Sequence, residues 1–314
     1  MHEMKFKVLF VGIGSIARRH IRNLNAIGND GLSFEVDAFR RTGLPADGVD
    51  HIYQTFEDIP DDYDIIFITN PTEYHLSTLK RYLEKGKVFF IEKPVVSIHQ
   101  IEEAKTTLLR DDSLYYVACP LRYNAVIQYI KTNIDLSDVL SVRSISSSYL
   151  PDWRPGQDYR TTYSAQKALG GGVSIDLIHE WDYLTYLFGW PARVFSLIGK
   201  KSDLEIDSDD YAVYIAELDN KIIELHLDYF GRKTIREIQL FTKDDTIIGD
   251  IANNQISFMK AGKTIQFEEN RDDFQKRELT HFIDMISNGQ KSKDDFLHAV
   301  RVLSLTQGKI DPSM

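Results

Sequence analysis

The stretch that most limits what this chain can fold into is KFKVLFVGIGSIARRHIRNL, residues 5–24. A short apolar run at residues 8–11 leads into Gly12, Gly14 and Ala17, and apolar residues then recur at helical spacing. This reads as a buried strand, a tight turn and a helix. Gly12 permits the turn, Gly14 lets the backbone approach a pyrophosphate, and Ala17 keeps helix and strand close. The helix N-terminus, at Ser15 and Ile16, attracts phosphate charge.

The alternation continues. LSFEVDAF (32–39), YDIIFITN (63–70) and KVFFIEKP (87–94) read as strands, with a helix over EYHLSTLKRYLEKG (73–86). Strands alternating with helices predict a doubly wound parallel sheet covered on both faces, with its ligand at the carboxyl ends of the strands. Those ends carry GIGSI, FRRTG, TNPTEYH and EKP, which makes Asn70, Pro71, His75, Glu92, Lys93 and Pro94 candidate cofactor-binding residues beside the glycines. NAD-binding folds usually place a carboxylate about 20 residues beyond the glycines to hold the ribose 2′-hydroxyl. Here Arg40, Arg41 and Thr42 stand there, and Asp37 lies inside the strand. Guanidinium groups suit a 2′-phosphate, so NADP is favoured over NAD.

A net charge of −10 argues against a general affinity for nucleic acid or anionic membrane. The single cysteine, Cys119, allows no intramolecular disulfide and no thiolate zinc cluster, which fits a reducing, cytoplasmic setting without a metal site. A length of 314 residues is enough for two domains.

Farther along, GGGVSIDLIHEWDYLTYLFG (170–189) sets Asp176, His179, Glu180 and Tyr183 on one side of an expected helix, with Ile175, Ile178 and Leu184 facing a core. By itself that is either a polar helix face or a reactive cluster. The longest irregular segment, residues 151–172, precedes it and combines Trp153, Arg154, Tyr159, Arg160, Tyr163 and Lys167. Aromatic planes and cations suit an anionic sugar, and they equally suit a loop packed on a partner subunit.

Taken in order, GIGSIARRH, TNPTEYH, FFIEKPVV and GGGVSIDLIHEWD resemble the Gfo/Idh/MocA oxidoreductases, and the likeness extends to LRYNAVIQYIK (121–131) and KRELTHFIDMISNG (276–289). The resemblance implies an α/β protein: a Rossmann domain, here residues 1–120, and an α+β domain, residues 121–314, with a large open, mainly antiparallel sheet. It also implies a homo-dimer or homo-tetramer and hydride transfer between nicotinamide and a secondary alcohol or ketone of a sugar, sugar acid, nucleotide sugar or cyclitol. Lys93 matches the active-site lysine of the EKP motif. The later pattern, Asp then three residues, His, two residues and Asp, is one residue short here, because only Leu177 and Ile178 separate Asp176 from His179. His179 keeps its spacing to Asp182, so His179 is preferred to Glu180 as the proton-transferring group, with Asp176 orienting it. Arg122, Tyr123, Trp153, Arg154, Tyr159, Arg160, Tyr163 and Glu180 are the expected substrate contacts. The resemblance leaves two other classes open: a glycosidase using transient oxidation, and an NADP-binding redox sensor.

Overall fold

In the computed structural model, which describes residues 4–28 and 31–310, the chain forms two compact units. The first takes residues up to Ala118 together with 271–300; the second takes Cys119–Asn270 and the chain from Arg301.

The first unit begins with β1 (Met4–Val11), α1 (Ser15–Ile27), β2 (Leu32–Phe39), β3 (His51–Tyr53), β4 (Ile65–Ile68), α2 (His75–Tyr82), β5 (Val88–Ile91), α3 (Ile101–Lys105) and β6 (Leu114–Val117). The six strands are parallel in the order β3-β2-β1-β4-β5-β6. Chain order reverses between β1 and β4, the switch point where ligands of such sheets bind. Phe10, Phe67, Phe90 and Tyr116 are register partners on successive strands and stack as a ladder, with ring centroids 4.5, 4.7 and 5.2 Å apart.

The second unit contains α4 (Ala125–Asn133), β7 (Val139–Tyr149), α5 (Val173–Asp176), α6 (Ile178–Phe188), β8 (Arg193–Gly199), β9 (Tyr211–Leu218), β10 (Lys221–Asp228), β11 (Phe230–Thr242), β12 (Thr246–Asp250), β13 (Gln255–Phe258) and β14 (Lys263–Gln266). They form an eight-stranded sheet, β14-β13-β12-β11-β7-β10-β9-β8, antiparallel except for β10 on β7. Alternation along β9 puts Ala212, Tyr214 and Ala216 on a buried face, where Tyr214 meets Trp181 of α6 edge to face.

The chain then closes with α7 (Asp273–Ser287) and α8 (Asp294–Leu305). The expected domain division differs here. Residues 271–300 rejoin the first unit rather than staying with the second, because Phe282 of α7 is fully buried edge-on against Phe67 and Phe90 of the ring ladder. A second difference lies at residues 173–188, where the expected single helix is broken at Leu177 (φ −95°, ψ 31°) into α5 and α6. No helix among the described residues is long and apolar enough to cross a membrane.

Candidate active site

In the first unit, Gly12 has φ +95°, and a β-carbon there would come within 2.7 Å of the Asn70 backbone. The β1 and β4 ends therefore close on each other only with glycine at this position. Thr69 fastens the pair by donating its hydroxyl to the Gly12 carbonyl at 2.7 Å. Gly14, which caps α1, has nothing within 4 Å of a built β-carbon. That leaves the α1 N-terminus open, with the Ser15 and Ile16 amides at the positive end of its dipole and no acidic residue in its first turn. Asn70 donates to Thr78 at 2.7 Å, while its own Oδ1 is buried and lacks a hydrogen-bond partner. An open helix N-terminus beside an unsatisfied buried acceptor fits a pyrophosphate with a hydroxyl- or amide-bearing neighbour, so the residues present suit a dinucleotide.

Glu92 and Lys93 follow β5. Glu92 is 8% exposed, and its Oε1 lies 2.5 Å from His20 Nε2 on α1. Burial alone would raise this carboxyl; the His20 hydrogen bond, aided by Lys93, outweighs it and holds the pKa below the usual value. The Lys93 amide donates to Glu92 Oε2 at 3.2 Å, so the pair also shapes the turn that carries the lysine. Lys93–Pro94 is a cis peptide. His75, expected to face a cofactor, instead ties two strand ends together: its ring nitrogens lie 2.8 Å from the Asn70 carbonyl and 2.9 Å from that of Pro94. Burial pushes its pKa down, while the Asn70 and Pro94 carbonyls, which only a ring protonated on both nitrogens could satisfy together, work in the opposite direction. Pro71 opens the short turn into α2.

At the end of β2, Arg40 donates to the Leu44 carbonyl at 3.0 Å, and Arg41 is exposed. Asp37, the nearest carboxylate within the strand, is 3% exposed and accepts the Tyr63 hydroxyl at 2.6 Å.

In the second unit, Asp176 ends α5 and is 6% exposed; the fully buried Tyr229 donates its hydroxyl to Asp176 Oδ2 at 2.5 Å. Burial, and then the Asp176 charge, push the Tyr229 hydroxyl well above its ordinary pKa, and Tyr163 is raised by the same two causes. Asp209 joins them. It accepts the Ser174 amide at 2.8 Å, and its side chain fills the space a β-carbon on Gly172 would need. Burial pushes its carboxyl up, and Asp176 adds to the rise. The raised phenols keep their protons at neutral pH, so Tyr229 stands as a hydrogen-bond donor to Asp176.

His179 is half-buried at the start of α6, whereas the next residue, Glu180, is fully buried. Glu180 accepts from Arg236 of β11 at 2.6 Å. Burial works against the Arg236 charge, and the Glu180 carboxylate more than offsets it. Tyr183 is fully buried too, bonded to Ser144 at 2.7 Å, so the supposed polar helix face packs against the sheet instead of facing solvent.

Among the expected substrate contacts, Arg122 forms a two-pronged ion pair with Asp182, at 2.9 and 2.6 Å, and Tyr123 is half-buried nearby in the chain. Arg160 is held by Asp158 and Glu205 at the exposed surface. Trp153 and Arg154 reach members of the acid–phenol cluster, whereas Tyr159 bonds elsewhere. Trp153 stands edge-on to Tyr229 and donates to Ser148, Arg154 lies over the Tyr163 ring, and Tyr159 receives the Glu205 amide. Tyr229, Asp209 and Arg236 were not singled out by sequence reasoning. Tyr229 lies 53 residues from the aspartate it binds, and no local spacing connects them.

Residues 6–118 match the Gfo/Idh/MocA oxidoreductase family, NAD-binding Rossmann fold, and residues 127–234 match the Gfo/Idh/MocA C-terminal domain. The uncharacterized oxidoreductase YrbE of Bacillus subtilis (strain 168) is 25% identical over 186 residues, 57% of this chain; the match spans about half, 52%, of that curated relative's length. Three solved structures share the fold. Levoglucosan dehydrogenase in complex with NADH superposes with a TM-score of 0.81 at 15% identity, covering 97% of this chain and 96% of that one. UDP-N-acetylglucosamine 3-dehydrogenase from Acidithiobacillus ferrooxidans (TM-score 0.74, 18% identity) covers 97% and 96%. For myo-inositol 2-dehydrogenase from Lactobacillus plantarum (TM-score 0.74, 19% identity) the shares are also 97% and 96%. With a six-stranded dinucleotide-type sheet in one unit, an eight-stranded sheet in the other and both family domains matched in order, the chain belongs to the Gfo/Idh/MocA family of NAD-binding oxidoreductases.

Proposed function

We propose that the protein is an NAD(P)-dependent dehydrogenase or reductase of a sugar-type secondary alcohol or ketone, with NADP preferred. The observation that carries this reading is the unobstructed Gly14 at the α1 N-terminus, beside the switch point and the strand ends that bear Asn70 and Lys93. Gly12, Gly14, Ser15, Ile16, Asn70 and Pro71 would hold the dinucleotide, and Arg40 and Arg41 its 2′-phosphate. Asp37 is engaged by Tyr63, and neither arginine forms an ion pair among the described residues.

Bound nicotinamide supplies the hydride acceptor or donor. In the oxidative direction His179 takes the substrate hydroxyl proton on an imidazole nitrogen as the carbinol carbon gives up hydride. Lys93 donates a hydrogen bond from Nζ to the same oxygen as negative charge builds there. Asp176, held by Tyr229, would orient His179. In reduction the same groups return the proton. Glu92 and His75 shape the Lys93–Pro94 turn rather than meeting substrate.

The first test titrates nucleotide-stripped protein with NADPH and NADH side by side, followed by fluorescence. Tighter NADPH binding is expected, and Arg40→Ala should narrow the preference. Tighter NADH binding would overturn the arginine assignment. Lys93→Ala should lower kcat by about 100-fold or more, the scale for losing one donor to a developing oxyanion. Its nucleotide affinity should be retained; undiminished turnover would sink the role given to Lys93.

A further inference from the structure

The second unit contains a cleft of about 330 Å³ that none of the roles above uses. Its walls are Tyr149 at the end of β7, Phe230 and Arg232 at the start of β11, Tyr159, and the turn that follows β8, which carries Lys201. In a chain of net charge −10, this cleft concentrates cations. The Arg232 guanidinium lies 3.9 Å from the Tyr149 ring centroid, and neither Arg232 nor Lys201 forms an ion pair among the described residues. Asp203 is the one acidic lining residue. A guanidinium stacked on a ring keeps its N–H edges available for an oxyanion. The Tyr159 hydroxyl accepts the Glu205 amide at 3.2 Å and keeps its own proton to donate.

The walls are also fixed in place. Asp210, fully buried, accepts the Lys201 and Ser202 amides at 2.8 Å each and the Ser202 hydroxyl at 2.5 Å. The Asp210 carbonyl accepts the Tyr229 amide at 2.9 Å, and the Tyr229 hydroxyl binds Asp176. Phe230, the next residue, faces the cleft. One residue step thus separates the cleft wall from the phenol that holds the proposed orienting aspartate.

We infer that this cleft is a subsite for a phosphoryl group carried by the substrate, bound by Arg232, Lys201 and the Tyr159 hydroxyl. Two cations without ion pairs among the described residues, and a neutral donor, match the two negative charges of a phosphate monoester or of a diphosphate better than the single charge of a carboxylate. The volume lies at the small end for ligand sites, enough for a charged head with part of its carrier. The inference rests on the dehydrogenase reading for its substrate and makes that substrate a phosphorylated sugar, either a sugar monophosphate or a nucleoside-diphosphate sugar.

The test is calorimetric titration of the full-length protein, in phosphate-free buffer, with glucose, glucose 1-phosphate and uridine 5′-diphosphate. At least one phosphorylated probe should bind and glucose should not compete with it. Arg232→Gln and Lys201→Gln should each weaken that binding about tenfold or more, the scale for losing one charge-assisted hydrogen bond. Raising salt should weaken it further. Stronger binding of uridine 5′-diphosphate would assign a nucleotide-borne phosphoryl; equal or stronger binding of glucose 1-phosphate would assign the simple ester. Binding of neither phosphorylated probe, or equal binding by wild type and the double variant, overturns the subsite. NADH and NADPH titrations of the same variants should be unchanged. Loss of nucleotide binding by the wild type would count against the dehydrogenase reading and leave the probe result standing.

Discussion

The His20–Glu92 pair shows how a buried hydrogen bond can shape the turn that carries Lys93. Glu92 is buried, its carboxyl is held below the ordinary value chiefly against the cost of burial, and its second oxygen receives the Lys93 amide. A depressed carboxylate stabilises the fold above its unfolded pKa, near 4.5, and loses that contribution as pH falls through the lower folded value. Glu92→Gln should therefore cost about 2 kcal/mol at neutral pH, the scale for a buried hydrogen bond to a charged group. The difference from wild type should shrink on acidification below about pH 4.5. Urea unfolding measured across pH reads this directly, and a difference that stays constant with pH would show that the carboxylate charge is not what the variant removes.

At the scale of elements, the break at Leu177 explains the shortened spacing between Asp176 and His179. A continuous helix would hold Asp176, His179, Glu180 and Tyr183 on one face; ending α5 and restarting at Ile178 resets the phase. Glu180 then goes to Arg236 in the core and His179 stays half-exposed. The two should separate on substitution. His179→Ala should cut kcat by about 100-fold or more with little loss of stability. Glu180→Ala should cost about 3–5 kcal/mol by leaving Arg236 buried and uncompensated. Full turnover in His179→Ala, with thermal unfolding unchanged, would reject it as the proton carrier. The parallel sheet, the glycine turn and the strand-end lysine were legible because each is written in a continuous run of residues. The helix break, the Glu180–Arg236 pair and the Tyr229–Asp176 bond were not. Each depends on which residues separated strands bring together, and their partners lie 56 and 53 positions away.

For the molecule as a whole, the open face of the eight-stranded sheet bears on assembly. Phe195 and Leu197 of β8 are 63% and 64% exposed, and Ile215 of β9, opposite Phe195, is 51% exposed. Ile222 of β10, at 50%, lies on the same face two residues from Glu224, the partner of Ile215. Two ion pairs, Arg143–Glu224 and Arg193–Glu217, stand among these residues on that face. An apolar stripe rimmed by charge has the make-up of an interface more than of a solvated surface. We read it as the face through which copies of the chain associate, as the family resemblance implies. Placing like charges at the centre of a self-complementary patch costs twice in a two-fold dimer, since each substitution meets its own copy or a neighbour of it. The double variant Phe195→Glu, Leu197→Glu should therefore sediment as a monomer where the wild type sediments as a dimer or tetramer. Both residues point away from the sheet's buried face, so the variant should keep wild-type unfolding behaviour. A wild type that is monomeric at micromolar concentration, or a double variant with unchanged sedimentation, would remove this face from the assembly and leave its exposed apolar side chains without a role.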